Sequence, residues 1–252
     1  MRNKSITFDG ANVVLTGATR GIGKALCGQL IAEGATVAAI ARDEAHLRAL
    51  QDELGERVIP FPGDLSRSGD RRQMIDDVIQ RFDRLDGLIN NAGIQTEMSF
   101  VGESPADREM QWTQDIAINL EAPIHLVSGL VPAMRGSTTP FVVNVTSGLA
   151  IAPKAAAPVY CATKAGLRSF TKALRYQSQS SWHDLLVVDV IIPLVDTDMT
   201  RGRGKAKISP EHAAAAILSG LRAGKEEIWV AKAKFLPWLH RLAPRMTERI
   251  LR

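Results

Sequence analysis

The chain has 252 residues, 45% hydrophobic and 23% charged, with a formal net charge of +4. That composition excludes a disordered or fibrous chain and supports one sizeable core, while two cysteines, Cys27 and Cys161, are too few for a disulfide framework. The charge is uneven: residues 201–252 hold 12 Lys/Arg against 4 Glu, or +8, leaving −4 for the rest.

No run of about 18 uninterrupted apolar residues is present, which argues against a membrane-spanning helix. Met1–Phe8 lacks the apolar centre of a secretory signal, so a reducing cytoplasm is the expected compartment. The scattered basic residues of the C-terminal segment read as a solvated face, and no nucleic-acid partner is expected.

In chain order, Asn12–Leu15 is a short apolar run that stops at Thr16-Gly17. Ile22, Leu26 and Leu30 then fall at helical spacing, with a helix read over Gly23–Glu33. Gly34 ends that helix, Thr36–Ile40 is a second strand, and Asp43 caps a helix whose apolar face is His46, Leu47, Leu50 and Leu54. Val58–Phe61, Gly87–Asn90, Pro140–Val145, Leu185–Ile192 and Ile228–Val230 supply five further strands. Helices are predicted between them over Ser66–Phe82, about Pro105–Met134, about Pro158–Ser180 and Ser209–Arg222, the last capped by Ser209 with Pro210 at its first position. This alternation predicts one α/β domain over residues 1–252: a doubly wound, Rossmann-like, mostly parallel seven-stranded sheet flanked by helices. Residues 231–252 form a basic amphipathic extension, and the loop Asp198–Ile208, rich in Gly, Arg and Lys, is the expected mobile segment.

Gly17, Gly21 and Gly23 stand where the first strand turns into its helix, with Thr19, Arg20 and Ile22 between them. Missing Cβ atoms let a pyrophosphate approach the backbone there, and the helix N-terminus offers it unpaired N–H groups. The spacing is G-x-x-x-G-x-G, and the strand before and helix after it mark a dinucleotide turn. The second strand ends at Ile40-Ala41-Arg42, without the acid that sites for NAD(H) set against the ribose 2′-hydroxyl. Arg42 and Arg20 can instead hold a 2′-phosphate, so NADP(H) is expected over NAD(H).

Tyr160 and Lys164 are four apart in a predicted helix and share a face. A phenol with an ordinary pKa near 10 is a poor acid or base at neutral pH, and a neighbouring ammonium and helix N-terminus near Pro158 both favour its phenolate. Tyr160 therefore suits a general acid in reduction and a general base in oxidation. Ser147 follows the fifth strand at its carboxyl end, where its hydroxyl can hold a substrate oxygen. Asn119 lies four residues before Pro123, which has no N–H, so the main-chain oxygen of Asn119 should be left free and the helix should bend.

The segments Thr16–Gly23, Asp64, Asn90-Asn91-Ala92-Gly93, Asn119, Ser147, Tyr160-Cys161-Ala162-Thr163-Lys164 and Val195-Asp196-Thr197 resemble, in order and spacing, the short-chain dehydrogenase/reductase family. The resemblance covers essentially the whole chain and its single-domain branch. Ile118–Leu126 and Asn144–Ala150 are further similar to a bacterial subgroup labelled by the D-alanyl teichoic acid operon, a label of gene neighbourhood that gives no substrate. The resemblance implies hydride transfer between a nicotinamide and a carbonyl or alcohol. It implies that Asp64 contacts adenine with Leu65 beside it in the cofactor site, and that Asn91, Ala92 and Gly93 support the adenosine ribose and sheet centre. Lys164 would bind the nicotinamide ribose next to Tyr160, a water on the Asn119 carbonyl would pass protons to Lys164, and Val195 and Thr197 would hold the carboxamide and phosphates. Homodimers or homotetramers are common in the family. One departure is Ile192-Pro193, which stands where members carry Pro-Gly and leaves the conformation of the nicotinamide loop open.

Cys161 points away from Tyr160 by about 100° on a helix and reads as a packed thiol. The histidines show no paired ligand spacing, and no metal is expected. Leu149–Pro153 and Ile94–Val101 should border an apolar cleft, with Arg201, Arg203, Lys205 and Lys207 available to an acidic group. The amphipathic tail Phe235–Met246 fits packing on a neighbouring subunit, the favoured reading, or contact with a membrane surface. A second functional reading, an idle NADP(H)-binding sensor or scaffold acting through that tail, is disfavoured by the intact Ser147, Tyr160 and Lys164 set.

Overall fold

A computed structural model describes residues 6–101, 108–202, 204 and 207–243. Seven strands, β1 (Asn12–Thr16), β2 (Thr36–Ala41), β3 (Val58–Pro62), β4 (Gly87–Asn90), β5 (Phe141–Ser147), β6 (Leu186–Ile192) and β7 (Glu227–Trp229), form one parallel sheet in the order β3-β2-β1-β4-β5-β6-β7. The order reverses between β1 and β4, and in open α/β sheets the crevice at the carboxyl ends beside such a reversal is where ligands bind.

The helices are α1 (Gly21–Ala32), α2 (Glu44–Leu54), α3 (Ser68–Arg81), α4 (Arg108–Ile116), α5 (Ala122–Leu130), α6 (Pro158–Ser181), α7 (Pro210–Arg222) and α8 (Leu236–Leu242). Side chains alternate across a strand, so each strand feeds two layers. Val13, Leu15, Val37, Ala39, Val143, Val188 and Val190 pack with Leu26 and Leu30 of α1, Leu47 and Leu50 of α2, and Ile217, Leu218 and Leu221 of α7. Val14, Ala38, Ile40, Leu88, Val142 and Val187 pack on the other face with Met74, Ile75 and Val78 of α3 and Leu126 and Leu130 of α5. Strands buried on both faces read as continuous apolar runs, as these do.

The expected strand and helix order is present, with shifted ends. α1 begins at Gly21, two residues before the predicted start, so the glycine turn is itself the first helical turn. β5 continues to Ser147, which is the strand's last residue and not the one after it. Asp43 caps α2 by accepting from the His46 N–H at 3.1 Å, and Ser209 caps α7 by accepting from the His212 N–H at 3.1 Å. His46 itself is not on the apolar face: it is exposed, with Nδ1 2.7 Å from Asp43, because that capping turn lies outside the packed stripe. The predicted start of the long helix near Pro105 lies outside the described residues. The helical run Glu109–Met134 is long and apolar enough by composition to cross a membrane, but Ile118, Ala122, Leu126, Leu130 and Met134 pack into the core.

Candidate active site

The turn after β1 is built by its backbone. Gly17 and Gly21 have φ of 67° and 53°, a left-handed region that costs other residues about 1–2 kcal/mol. A Cβ placed on Gly23 would lie 1.9 Å from the Gly17 oxygen, so only glycine lets α1 start this close to β1. Arg20, at the N-cap, makes no side-chain capping bond, which leaves the first N–H groups of α1 open to an anion. Ile22 is buried beneath the turn and Thr19 is half-buried at it.

The exit of β4 is tied to the same turn. The Thr16 hydroxyl accepts from the Asn91 and Ala92 N–H groups at 3.0 and 2.9 Å, and Asn91 Nδ2 donates to the oxygens of Thr16 and Gly17 at 3.0 and 3.3 Å. Thr197 also reaches it, since a Cβ on Gly21 would lie 2.9 Å from Thr197 Cγ2. Val195, buried, forms a parallel bridge to Ile208, and the Thr200 hydroxyl donates to its oxygen at 2.5 Å. The loop is thus set with Ile192-Pro193 in place; bonds downstream of the proline fix it.

At the far end of this crevice, Asp64 accepts from the Ser66 N–H at 2.9 Å. Desolvation opposes charge on its carboxyl, but the Ser66 donors and the guanidinium groups of Arg42 and Arg67 outweigh it and hold the pKa below the ordinary value. Arg42 and Arg20 are exposed and make no hydrogen bond or ion pair among the described residues. Leu65 is fixed by Arg71, a buried side chain whose Nη1 donates to the Leu65 oxygen at 2.7 Å and whose Nη2 lies 3.4 Å from Glu121.

The other candidates converge on the ends of β4 and β5. Lys164 is 4% exposed; Nζ lies 5.8 Å from the Tyr160 ring centroid and donates to the Val145 oxygen at 2.9 Å. Burial pulls its pKa down from 10.5 to about 8, and the negative charge of Asp189 opposes the fall. Tyr160, at the third position of α6, packs with Ala157, Cys161 and Leu149. Ser147 accepts from the Leu149 N–H at 3.2 Å, capping a short 3₁₀ turn over Gly148–Ala150. A Cβ on Gly93 would lie 3.1 Å from Asn119 Oδ1 and 3.5 Å from Lys164 Nζ, which puts these three residues together.

The helix accommodates Pro123 by widening into a π turn over Ala117–Glu121, in which the Ala122 N–H donates to the Ala117 oxygen, five residues back. That replaces the simple bend expected at Asn119: an extra residue in the turn spares the proline ring a clash. The Asn119 carboxamide is engaged at both ends, accepting from the Ile94 N–H at 3.0 Å and donating to the Ile94 oxygen at 2.9 Å.

A model of the short chain dehydrogenase family matches residues 11–208. The chain belongs to the short-chain dehydrogenase/reductase family. It is 33% identical over 222 residues to the Bacillus subtilis (strain 168) "uncharacterized oxidoreductase DltE", covering 86% of each chain. Among solved structures, a short chain dehydrogenase from Burkholderia cenocepacia J2315 in complex with NADP has a similar fold, with a TM-score of 0.84, 24% identity and 98% and 99% of the two chains covered. A short chain dehydrogenase/reductase from Burkholderia phymatum in complex with NAD matches with a TM-score of 0.84, 21% identity and 98% and 97% covered. This protein is accordingly an oxidoreductase of the nicotinamide-dependent kind, a dehydrogenase/reductase.

The short-chain dehydrogenase site also contains residues that the sequence did not single out. Asp115, fully buried, accepts from the Thr96 hydroxyl at 2.7 Å and the Thr96 N–H at 3.3 Å, and so holds the Ile94–Val101 segment. Lys154 Nζ pairs with Glu97 at 2.8 Å, and the Met98 N–H donates to the Ala156 oxygen at 2.9 Å, which joins the two loops expected to border the cleft. The sequence signal for Asp115 is only its place four residues before Asn119; the Lys154–Glu97 pair leaves none. Cys161 is packed, and its Sγ lies 3.2 Å from the Lys154 nitrogen, within hydrogen-bond range of that N–H. The basic loop does not present all its cations: Arg201 pairs with Asp198, and Lys207 donates to the Thr200 oxygen at 2.6 Å and reaches Asp196 at 3.3 Å. Those contacts tie both side chains to their own loop. Arg203, Lys205 and the tail beyond Ala243 lie outside the described residues.

Proposed function

We propose that the enzyme transfers a hydride between NADP(H) and a carbonyl or alcohol, with Tyr160 as general acid in reduction and general base in oxidation. The observation that carries this reading is the buried Lys164 ammonium 5.8 Å from the Tyr160 ring centroid. A cation there favours phenolate over phenol and lets Tyr160 exchange a proton with a substrate oxygen. Ser147 orients that oxygen, Lys164 also binds the nicotinamide ribose, and the main-chain oxygen of Asn119 supports a proton path to Lys164.

The uncapped first turn of α1 and the close-packed Gly17, Gly21 and Gly23 fit a pyrophosphate. The cofactor, when bound, supplies or receives the hydride. Support for NADP(H) over NAD(H) comes from Arg42, just past the end of β2 where an acid would favour NAD(H), and from Arg20 at the N-cap of α1, both exposed and without a hydrogen bond or ion pair among the described residues. Asp64 and Leu65 serve the adenine, Asn91 to Gly93 the ribose, and Val195 and Thr197 the carboxamide and phosphates. The apolar side chains of Ile94, Leu149 and Ile151 suit a substrate with a hydrophobic body. A cytoplasmic homodimer or homotetramer is part of this reading, supported by exposed Met110, Ile124 and Tyr176 on the outer faces of α4, α5 and α6.

The test is Tyr160→Phe in an NADPH-oxidation screen over ketones, aldehydes, quinones and 3-oxoacyl thioesters. Turnover should be lost while NADPH binding, read by titration, stays nearly intact; unchanged turnover would overturn the assignment.

A further inference from the structure

Beyond β7 the chain enters a 3₁₀ segment, Ala231–Phe235, that runs directly into α8. Ala231 has a φ of 48°, the one positive value at a non-glycine residue among the described residues, at the start of this helical arm. Leu236 closes on the end of β5: a Cβ on Gly148, the residue after Ser147, would lie 3.1 Å from Leu236 Cδ2. The arm therefore sits at the mouth of the site.

Its other side is left to solvent. Phe235, Trp238 and Leu242 are 61%, 69% and 77% exposed, at the i, i+3, i+7 spacing of one helical face. Single exposed apolar residues are ordinary, whereas three large ones in a stripe mark a contact surface. Exposed Lys232, Lys234 and Arg241 border the stripe, and Lys234 Nζ stands 5.1 Å from the Phe235 ring centroid. Between Ile228 and Ala243 the sequence holds no acid.

We propose that this stripe docks the enzyme on an anionic lipid surface with the cleft mouth toward it, so that the carbonyl substrate is one that partitions into the bilayer. The substrate half of this proposal rests on the reading of Ser147 and Tyr160 given above. Charge complementarity selects this occupant. An aromatic and aliphatic stripe rimmed by cations matches the boundary between acyl chains and anionic headgroups. A second copy packed about a twofold axis would bring the same basic rim against itself, where like charges oppose association.

Full-length enzyme is sedimented with phosphatidylglycerol/phosphatidylcholine vesicles and with pure phosphatidylcholine vesicles. Binding should favour the anionic vesicles and weaken with salt. Trp238→Ser with Leu242→Ser should lower it roughly tenfold or more, and each of Lys232→Gln, Lys234→Gln and Arg241→Gln should lower it about fivefold. Turnover of a water-soluble aldehyde should be unchanged in all variants, which shows them folded, while turnover of a long-chain aldehyde held in vesicles should fall in the Trp238/Leu242 variant. The docking is overturned by wild-type enzyme that ignores anionic vesicles, or by binding that survives loss of the stripe. A smaller light-scattering mass of the Trp238/Leu242 variant, with vesicle binding intact, also overturns it and assigns the face to a second copy. Vesicle binding without any carbonyl turnover would instead fault the catalytic reading and leave the docking standing.

Discussion

Lys164 Nζ donates to the main-chain oxygen of Val145 at 2.9 Å, and the next residue, Thr146, donates its hydroxyl to Asp189 at 2.5 Å. The catalytic candidate thus hangs from a strand whose neighbouring side chain leads to a buried carboxylate. Burial raises the Asp189 pKa, and the bond from Thr146 and the charge of Arg168 act against that rise. Lys164 is brought down to about 8 by its own burial, with Asp189 as the opposing influence. If the ammonium is the working form, kcat/KM for carbonyl reduction should decline as pH rises through about 8. Asp189→Asn removes the opposing charge, so the alkaline limb should move to lower pH. Superimposable pH profiles for wild type and Asp189→Asn would refute the coupling. The same depression links folding to protons. Between about 8 and the ordinary 10.5 the unfolded chain keeps a proton the folded chain has lost, so this group's contribution to stability should rise with pH across that window.

Arg42 offers a test of cofactor choice independent of turnover. Charge-assisted bonds to a phosphate contribute about 1.5–3 kcal/mol, or roughly ten- to a hundredfold in affinity. Arg42→Ala should weaken NADPH by about that factor and NADH far less, as read by fluorescence titration. Equal losses for both would mean that the 2′-phosphate is held elsewhere.

Gly23 and Gly69 make opposite predictions from the same substitution. Alanine at Gly23 would set a Cβ 1.9 Å from a backbone oxygen and 2.7 Å from Asn91 Nδ2, so α1 would have to leave the end of β1. A loss of ~2 kcal/mol or more in thermal stability and of most cofactor binding is expected. At Gly69, inside the first turn of α3, nothing lies within 4 Å of an added Cβ. Gly69→Ala should be neutral or stabilise by up to about 1 kcal/mol. Tight NADPH binding by Gly23→Ala would contradict the packing argument.

What the sequence made legible follows from range. The glycine turn, the Tyr160–Lys164 pair and the caps at Asp43 and Ser209 are local patterns whose partners lie within a few residues, and the structure shows each turn, helix face and cap. Apolar runs recorded the sheet because strands covered on both faces have no polar alternation to confuse them. Contacts made by folding left no such trace. Arg71 on the Leu65 oxygen and Lys154 on Glu97 join segments that only the sheet topology brings together. Pro123 announced a lost bond, but whether a helix answers with a bend or a π turn depends on what packs beside it. The packing of Leu236 over Gly148 was equally hidden, since nothing local in α8 says which loop it will cover.

Asp115 and Asn119 stand one helical turn apart and hold alternate residues of one loop, Asp115 taking Thr96 and Asn119 taking Ile94. The bonds to the Ile94 backbone and to the Thr96 N–H fix main chain beside the cleft, so these two side chains set the shape offered to a substrate rather than the chemistry. Burial raises the Asp115 pKa, while the Thr96 bonds favour its charged form. Protonation should cost an acceptor and loosen the loop. Two outcomes follow for the carbonyl substrate with NADPH saturating. Asp115→Asn, which keeps one acceptor oxygen, should raise KM by roughly three- to tenfold, about 1 kcal/mol for one lost hydrogen bond, with kcat and NADPH affinity little changed. In the wild type KM should climb as pH falls toward the raised pKa, and that climb should be absent from Asp115→Asn. A variant that loses kcat and keeps its KM would place Asp115 in the chemistry, and an acid limb shared by both proteins would assign the titration to another group.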